Sequence, residues 1–441
     1  MNKKIYARVL LLSTAAVLAA CGSKANKIGE TVKGERISVI EQVKAVDSDI
    51  RLQGQKPSLA QQIVNLSWPQ AGYDNEHLMP HVQAAARPRI IWKADVGEGS
   101  SSDFKLLAQP VLSKGVVYTM DAEGLVSAFD AETGKRRWEK DTTPKDSDEP
   151  AIGGGLAVDG DVVYATTGKG LVYALQTKTG AVLWKKALLK PLRAAPTIAD
   201  GRVYVVSIDN ELNVLDAATG EILWHYAGIA ESATLMGASS PVVQGDSVIV
   251  AHSSGEIFSL RVQNGRASWS YSLASPAQIG ALPAIADIRG LPVSDQGRLY
   301  AISHSGRFAA VDQRAGERVW EVDIGGINTP VVSGNAIFVY GGDGQLMALM
   351  RETGRIMWAA SLQKYVDQND KESGPIIWTG PVLAGDRLWM VNSLGKMESF
   401  LPEDGSSLGS VNIGDPVYVS PIVVNRTFYV VTDDGVLVAL R

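Results

Sequence analysis

Residues 129–138 read Phe129-Asp130-Ala131-Glu132-Thr133-Gly134-Lys135-Arg136-Arg137-Trp138. The same unit returns at residues 175–184 and 215–224, where Thr-Gly is again followed, after a short gap, by tryptophan. From Trp138 onward, successive copies are 46, 40, 45, 51, 38 and 50 residues apart. A period of about 45 residues with no helical pattern inside it is typical of β-propeller blades. The closing position of the copies is occupied by Trp92, Trp138, Trp184, Trp224, Trp269, Trp320, Trp358 and, in one copy, Leu408.

Each copy has the composition of four short antiparallel strands. In the first copy, Val116–Met120 and Leu125–Phe129 are β-branched and aromatic runs, and Glu123-Gly124 separates them. Such runs bounded by Gly, Asn and Asp predict strands joined by hairpins. In the Asp-x-x-Thr-Gly turn, the Asp side chain can accept backbone N–H groups and Gly can adopt a positive φ. The same register also indicates that the tryptophans pack between blades rather than stack on a ligand.

The two ends of the repeat array complete one blade. The last copy, from Pro421 to Leu440, contains only three strands, and the missing fourth is found upstream at Arg89–Lys93. Pairing these segments would remove the free edges of an open array. The sequence therefore predicts an all-β, eight-bladed propeller whose last blade is closed by an N-terminal strand. Seven blades remain an alternative if the irregular unit between Pro276 and Trp320 is divided differently.

The N-terminus has the features of a lipoprotein signal. Lys3, Lys4 and Arg8 precede an apolar run that is too short to span a bilayer, so residues 1–20 are predicted to be removed. Leu18-Ala19-Ala20-Cys21 resembles the bacterial lipobox, which implies acylation of Cys21 and anchoring by lipid. Gly22 follows where lipoproteins retained in the inner membrane often carry Asp, which implies the periplasmic face of the outer membrane. Residues 21–60 are predicted to be a flexible tether and residues 61–441 the propeller.

Composition argues against several other classes of function. Cys21 is the only cysteine, so the chain can form neither an intramolecular disulfide nor a cysteine-based metal site. The formal charge is −5, and loss of the three signal-peptide cations leaves about −8, which disfavours nucleic-acid binding. The five histidines are scattered, and no nucleophile elbow or metalloprotease motif is present. We therefore expect no catalytic residues, no metal, no cofactor and no small-molecule substrate.

The repeat resembles the tryptophan-docking repeat of pyrroloquinoline-quinone (PQQ) enzymes. Together with the lipobox and a ring without large insertions, it resembles the BamB family, the lipoprotein propellers of the outer-membrane β-barrel assembly machinery. That resemblance implies a non-enzymatic scaffold whose partners are the barrel subunit of the machinery and nascent barrel proteins. Two alternatives stay open, a periplasmic PQQ-type oxidoreductase and a lipid-anchored adaptor with another partner. The PQQ-type oxidoreductases carry vicinal cysteines over their cofactor, and this sequence lacks such a pair.

The connection from Lys185 to Ala195 departs from the strand pattern. It combines leucines with several cations, and an aliphatic side chain beside an arginine is a composition found in protein-binding hot spots. In the BamB family the corresponding loop holds a Leu-Arg pair that docks on the barrel subunit. By that resemblance the partner-binding residues are Leu192 and Arg193, and Leu189 of the same loop is predicted to bind the partner with them. The alternative is that the leucines fold under the loop and the cations are solvated. A second family contact would map to Ser232–Gly237, where only Glu231 supplies an acidic group.

Overall fold

The computed structural model describes residues 46–52, 54–144, 151–274 and 285–441. The predicted signal, Cys21 and the first part of the predicted tether lie outside these ranges. The only described helical element is the 3₁₀ turn Ile50–Leu52, and no described helix has the length and apolar character needed to cross a membrane. The described strands of the N-terminal segment and of blades 1 to 4 are β1 (Ile90–Asp95), β2 (Val111–Ser113), β3 (Val116–Met120), β4 (Leu125–Asp130), β5 (Arg136–Asp141), β6 (Gly154–Asp159), β7 (Val162–Thr167), β8 (Leu171–Gln176), β9 (Val182–Ala187), β10 (Thr197–Ala199), β11 (Arg202–Val206), β12 (Glu211–Asp216), β13 (Ile222–Ala227), β14 (Val242–Gln244), β15 (Ser247–Ala251), β16 (Glu256–Arg261) and β17 (Ala267–Ser272).

The second half of the chain repeats the same pattern with one added hairpin. That hairpin pairs Tyr365–Asp367 with Asp370–Pro375 and lies between blades 6 and 7. The strands of blades 5 to 8 are β18 (Val293–Asp295), β19 (Arg298–Ile302), β20 (Phe308–Asp312), β21 (Arg318–Val322), β22 (Val331–Ser333), β23 (Ala336–Tyr340), β24 (Gln345–Met350), β25 (Ile356–Ser361), β26 (Tyr365–Asp367), β27 (Asp370–Pro375), β28 (Trp378–Ala384), β29 (Arg387–Asn392), β30 (Lys396–Phe400), β31 (Ser407–Asn412), β32 (Ile422–Val424), β33 (Thr427–Val431) and β34 (Val436–Leu440).

The described strands form eight four-stranded antiparallel sheets, which confirms the predicted fold and the count of eight blades. Within each blade the inner strands are buried and the outermost strand is largely exposed, as in β3 and β5. The last blade consists of β32, β33, β34 and β1. β1 pairs with β34, and Arg89 and Arg441 exchange two backbone hydrogen bonds of 2.8 and 2.9 Å. The predicted closure by the N-terminal strand is therefore present.

Each tryptophan of the repeat contacts the turn of the following blade. A Cβ atom added at Gly180 would lie 2.6 Å from the ring of Trp138, so only glycine permits this close approach. The Trp138 indole N–H donates to the Thr177 carbonyl at 2.7 Å in the same turn. The recurring Gly and Trp are thus two halves of one contact between blades. The same ring-on-glycine contact joins Trp92 to Gly134, Trp184 to Gly220, Trp224 to Gly265, Trp269 to Gly316, Trp320 to Gly354 and Trp358 to Gly405.

The closure of the ring explains why one copy of the repeat has Leu408 in place of tryptophan. It lies in β31 of blade 7, whose neighbour is the composite blade 8. In blade 8 the third and fourth strands are the two ends of the array, so no Asp-x-x-Thr-Gly turn connects them. A tryptophan at position 408 would therefore have no turn glycine to pack on.

Residues 58–84 run across one end of the propeller and form hydrogen bonds with every blade. The segment reaches the turn between the first two strands in blades 6 and 7, through Asn335 and Asp386. Residues 46–60, which the sequence assigns to the tether, also contact blade 6, because Asp49 donates its N–H to Ile356 and Ala60 donates its N–H to Ser333. The propeller residues that hydrogen-bond to residues 58–84 include one from every blade: Leu112, Val158, Ile198, Val243, Ser294, Ser333, Leu383 and Val423.

Candidate docking face

The connection between blades 2 and 3 is held rigidly at the end of the propeller opposite residues 58–84. Leu188 and Leu192 donate their backbone N–H groups to carbonyls in the turn at residues 167–170, at 2.8 and 3.2 Å. On the other side, Ile208 donates to the Pro191 carbonyl at 2.9 Å. The loop is therefore fixed between the middle turns of its two blades. The loops that link one blade to the next lie at this end of the propeller. Together we call them the docking face.

The structure separates the three leucines of this loop. Leu192 is fully buried, bridges to Ser207, and shares an apolar cluster with Val203. Leu188 is partly buried against the same cluster, whereas the Leu189 side chain is 91% exposed. The sequence assigned the partner contact to Leu192 and Arg193, together with Leu189. A fully buried Leu192 can act only by supporting the loop, so the aliphatic side chain available to a partner is that of Leu189.

Leu189 also has an unfavourable backbone conformation. Its φ is +63°, in the left-handed region, which costs a residue with a Cβ atom about 1–2 kcal/mol. The neighbouring Lys190 forms an ion pair of 2.6 Å with Asp209, and the following Pro191 accepts the Ile208 N–H at 2.9 Å. Strained conformations persist where the surrounding structure enforces them, and they concentrate at functional sites. An exposed leucine in such a conformation is therefore a strong candidate for a binding residue.

Arg193 links this loop to the next one. Its Nη1 donates to the Thr234 hydroxyl at 3.3 Å, and its Nε is buried with no hydrogen-bond partner among the described residues. Ile229 and Met236 of the loop between blades 3 and 4 have exposed fractions of 64% and 51%. Two consecutive loops of the docking face thus combine exposed apolar side chains with an arginine.

Sequence reasoning missed two charged residues, Asp287 and Arg289. Asp287 is buried, and its carboxylate accepts the Leu235 N–H at 2.8 Å. Burial raises the pKa of Asp287, opposed by this hydrogen bond and by Arg289. An acidic group therefore does reach the second contact region, but it comes from the connection between blades 4 and 5. That connection is irregular and follows no repeat register, so no sequence pattern points to these two residues.

An axial cavity of about 530 Å³ lies behind the docking face. One end of the cavity is lined by Ala71, Gly72 and Met79 of residues 58–84, and the other end by Arg193 and Met236. Among the described residues, no three His, Cys, Asp or Glu side chains are grouped closely enough to hold a metal ion.

Comparison with known proteins yields a family match. The family described as "Outer membrane protein assembly factor BamB" matches residues 81–149 and 122–360, which together cover more than half of the chain. A protein of that name from Yersinia pestis is 25% identical over 367 residues, spanning 82% of this chain and 91% of the relative. One from Alkalilimnicola ehrlichii is 31% identical over 352 residues, spanning 80% and 88%.

Solved structures show the same fold. The crystal structure of BamB from Moraxella catarrhalis superposes with a TM-score of 0.68 at 20% identity, covering 80% of this chain and 100% of that one. The quinohemoprotein alcohol dehydrogenase of Comamonas testosteroni gives a TM-score of 0.67 at 12% identity, covering 90% and 82%. At these identities the likeness is one of fold alone. By the family match and its full-length relatives, the chain belongs to the family of outer membrane protein assembly factor BamB.

Proposed function

We propose that this protein is a lipid-anchored scaffold that binds the barrel subunit of the outer-membrane assembly machinery through its docking face. The observation that carries the proposal is Leu189, an exposed aliphatic residue with a strained backbone conformation in the same loop as Arg193. Arginine is enriched among the residues that dominate protein interfaces, and a loop whose backbone is already fixed loses little conformational entropy on binding. Membership of the family supports the machinery as the partner.

Within this surface we assign three roles. Leu189 is the apolar contact, Arg193 supplies a charge-assisted contact, and Leu192 holds the loop from beneath. Ile229 and Met236 extend the apolar surface onto the next loop. Rim charges steer association, whereas buried apolar contacts govern dissociation. We therefore expect changes at Leu189 to act mainly on the dissociation rate.

The anchoring part of the proposal rests on Cys21. Acyl chains on its thiol, at about 0.8 kcal/mol per buried CH₂, would hold the propeller at a membrane surface. Palmitate labelling and outer-membrane fractionation of wild type and Cys21→Ser test this directly. Loss of label and release from the membrane in the variant are expected, and equal labelling of both proteins would contradict the anchor.

We also propose that the protein is not an oxidoreductase. The likeness to the alcohol dehydrogenase concerns the fold, and the single cysteine cannot form the vicinal pair found in the PQQ enzymes. Dye-linked oxidation assays with PQQ and Ca²⁺ should give no turnover above a protein-free control. Turnover dependent on the protein would support the oxidoreductase alternative.

The test of the scaffold role is a crosslinked pull-down of the tagged protein from membranes. We expect wild type to recover a large outer-membrane barrel subunit, and Leu189→Asp with Arg193→Glu to lose it. The matched control is Val319→Asp with Arg314→Glu, which places the same changes on exposed residues of blade 5. Unchanged recovery with the first variant would reject the docking face, and recovery of a different partner by wild type would favour an adaptor of another kind.

A further inference from the structure

The axial cavity has the dimensions and the apolar walls of a ligand pocket. Its volume of about 530 Å³ falls within the range of roughly 300–1,000 Å³ that is typical of small-molecule sites. Segments from all eight blades and from residues 71–79 contribute to the wall. The apolar side chains of the wall include Met79, Leu106, Leu291, Ile327, Trp378 and Val419.

The charged residues of the cavity are mostly cationic, although the whole chain is acidic. Lys105, Arg193 and Arg289 line it, and Asp433 is the single acidic residue among the described lining residues. The formal charge of the entire chain is −5. A concave surface with low-dielectric walls concentrates the field of such charges, so this cavity attracts anions.

Two of these cations have hydrogen-bond donors without acceptors. Arg289 forms neither a hydrogen bond nor an ion pair within the described part of the chain, and burial lowers its pKa below the usual range. The Nε atom of Arg193 is likewise buried and unpaired among the described residues. Guanidinium N–H groups that lack a protein acceptor can bind an anion, and their planar arrangement matches the geometry of a carboxylate. Arg289 is only partly buried, so its N–H groups remain accessible.

Both arginines contact the same short stretch of the docking face. Arg193 donates to the Thr234 hydroxyl at 3.3 Å. The Cβ position at Gly237, three residues further on, lies 3.2 Å from Nε of Arg289. Asp287 offsets only one of the two positive charges, and one of its oxygens already accepts the Leu235 N–H. The pair therefore retains the capacity to bind one more negative group.

We propose that the axial cavity binds a carboxylate that carries an apolar group. The carboxylate contacts Arg193 and Arg289, and the apolar group packs on the cavity wall. Two sources share this chemistry, a free organic acid and the C-terminal carboxylate of a peptide. The site goes beyond the proposed docking role, because it requires no assembly partner.

Calorimetric titration of the purified full chain in detergent tests the proposal. The probes are N-acetyl-leucine and N-acetyl-Ala-Ala-Leu with free carboxylates, each compared with its neutral amide. Charge-assisted hydrogen bonds predict that at least one acid binds about tenfold or more tightly than its amide. Tighter binding of the tripeptide identifies a peptide terminus, and equal binding of both acids identifies a small-acid site. Equal affinity for acids and amides, or binding of neither acid, would overturn the proposal.

Variants assign the affinity to the arginines. Arg289→Gln should weaken binding of the acid about tenfold or more, and Arg289→Lys, which keeps the charge without the planar fork, should be intermediate. Arg314→Gln, on an exposed turn of blade 5, should bind as wild type does. If Arg289→Gln does not fold, Arg289→Lys and Arg193→Gln decide the question.

Leu189→Asp should leave probe affinity unchanged, so failure here is separable from failure of the docking role. Full affinity in the arginine variants would refute the assignment.

Discussion

Arg193 donates a hydrogen bond to the hydroxyl of Thr234 across 3.3 Å, joining the loop after blade 2 to the loop after blade 3. The first loop is held by backbone hydrogen bonds to the turn at residues 167–170, and the second by the bond from Leu235 to Asp287. The docking face is therefore a connected surface rather than a set of independent loops. A partner that binds it meets loops whose backbone is already held by hydrogen bonds, which lowers the entropic cost of association.

Leu189→Gly should separate binding from stability. Glycine adopts a positive φ at little cost, so removing the leucine relieves strain while deleting the exposed side chain. We expect the free energy of unfolding to stay unchanged or to rise by up to about 1 kcal/mol, and recovery of the barrel subunit to fall. Urea unfolding and the membrane pull-down measure the two effects. A clear loss of stability would show that Leu189 is a structural residue.

Leu192→Ala should lower the free energy of unfolding, in contrast to Leu189→Gly. Its side chain is fully buried between blades 2 and 3, so its truncation leaves a cavity and costs about 2–5 kcal/mol of unfolding free energy. The control is Leu189→Ala, which should change stability by less than about 0.5 kcal/mol because that side chain is exposed. Denaturant unfolding of both variants compares them, and similar values would contradict the positions assigned to the two leucines.

The contact between the repeat tryptophan and the turn glycine of the next blade predicts that Trp184 contributes more to stability than Leu408, which occupies the same repeat position. Trp184→Ala removes a ring packed on Gly220 and an indole hydrogen bond of 2.9 Å to Ala217, so a loss of about 3–5 kcal/mol is expected. Leu408→Ala should cost less than about 1 kcal/mol, because Leu408 is 40% exposed and faces a blade without the turn. Thermal unfolding of each single variant supplies the comparison. Equal losses would show that the turn glycine does not determine the contact.

Residues 58–84 should contribute directly to the stability of the propeller. Trp68 is fully buried, and its backbone exchanges hydrogen bonds of 2.7 and 2.8 Å with Leu112 of blade 1. We expect Trp68→Ala to lower the free energy of unfolding by about 3–5 kcal/mol. Leu66→Ala, at a position that is 71% exposed, is the matched control with little expected change. If Trp68→Ala unfolds like the control, residues 58–84 do not stabilise the ring.

Two buried histidines should make the protein less stable in acid. Burial lowers the pKa of His77 and of His252 from the ordinary 6.5 to about 4. Between these values the unfolded chain binds protons that the folded protein does not, so stability present above pH 6.5 is lost as the pH falls toward 4. Each group contributes at most about 1.4 kcal/mol per pH unit.

His252→Phe isolates one of these groups. The ring nitrogens of His252 have no hydrogen-bond partner among the described residues, and its ring centroid lies 5.2 Å from that of Phe258, so an aromatic replacement suits the site. Urea unfolding from pH 4.5 to 8 should show a shallower acid slope than wild type. His225→Phe, at an exposed position, should keep the wild-type slope. An unchanged slope in His252→Phe would exclude His252 as a source of the acid sensitivity.

The repeat predicted the fold well because its residues carry a local physical constraint. Gly180 and Trp138 are 42 positions apart, yet each is recognisable from its own copy, since the turn needs a glycine and the contact needs a ring. The closure was also visible, because the missing strand and its tryptophan lie one period upstream. The path of residues 58–84 was not predicted, since it follows no repeat and depends on hydrogen bonds to every blade.

The candidate site was predicted only in part. The loop at residues 185–195 stood out because it breaks the strand pattern, but its sequence does not tell which leucine faces solvent. That choice depends on hydrogen bonds from the turns of blades 2 and 3, which place Leu192 inside and Leu189 outside. Asp287 and Arg289 could not be found at all, because they meet Leu235 and Gly237 only when two loops from different blades fold together.

Site-specific photocrosslinking in intact membranes shows whether the face bearing Leu189 binds the barrel subunit. A photoreactive phenylalanine analogue is placed at position 189, and separately at Lys178, an exposed residue in a turn at the opposite end of the propeller. We predict a covalent adduct with the barrel subunit from position 189 and none from position 178. An adduct from position 178 alone, or none from position 189 in a folded and membrane-bound protein, would contradict it.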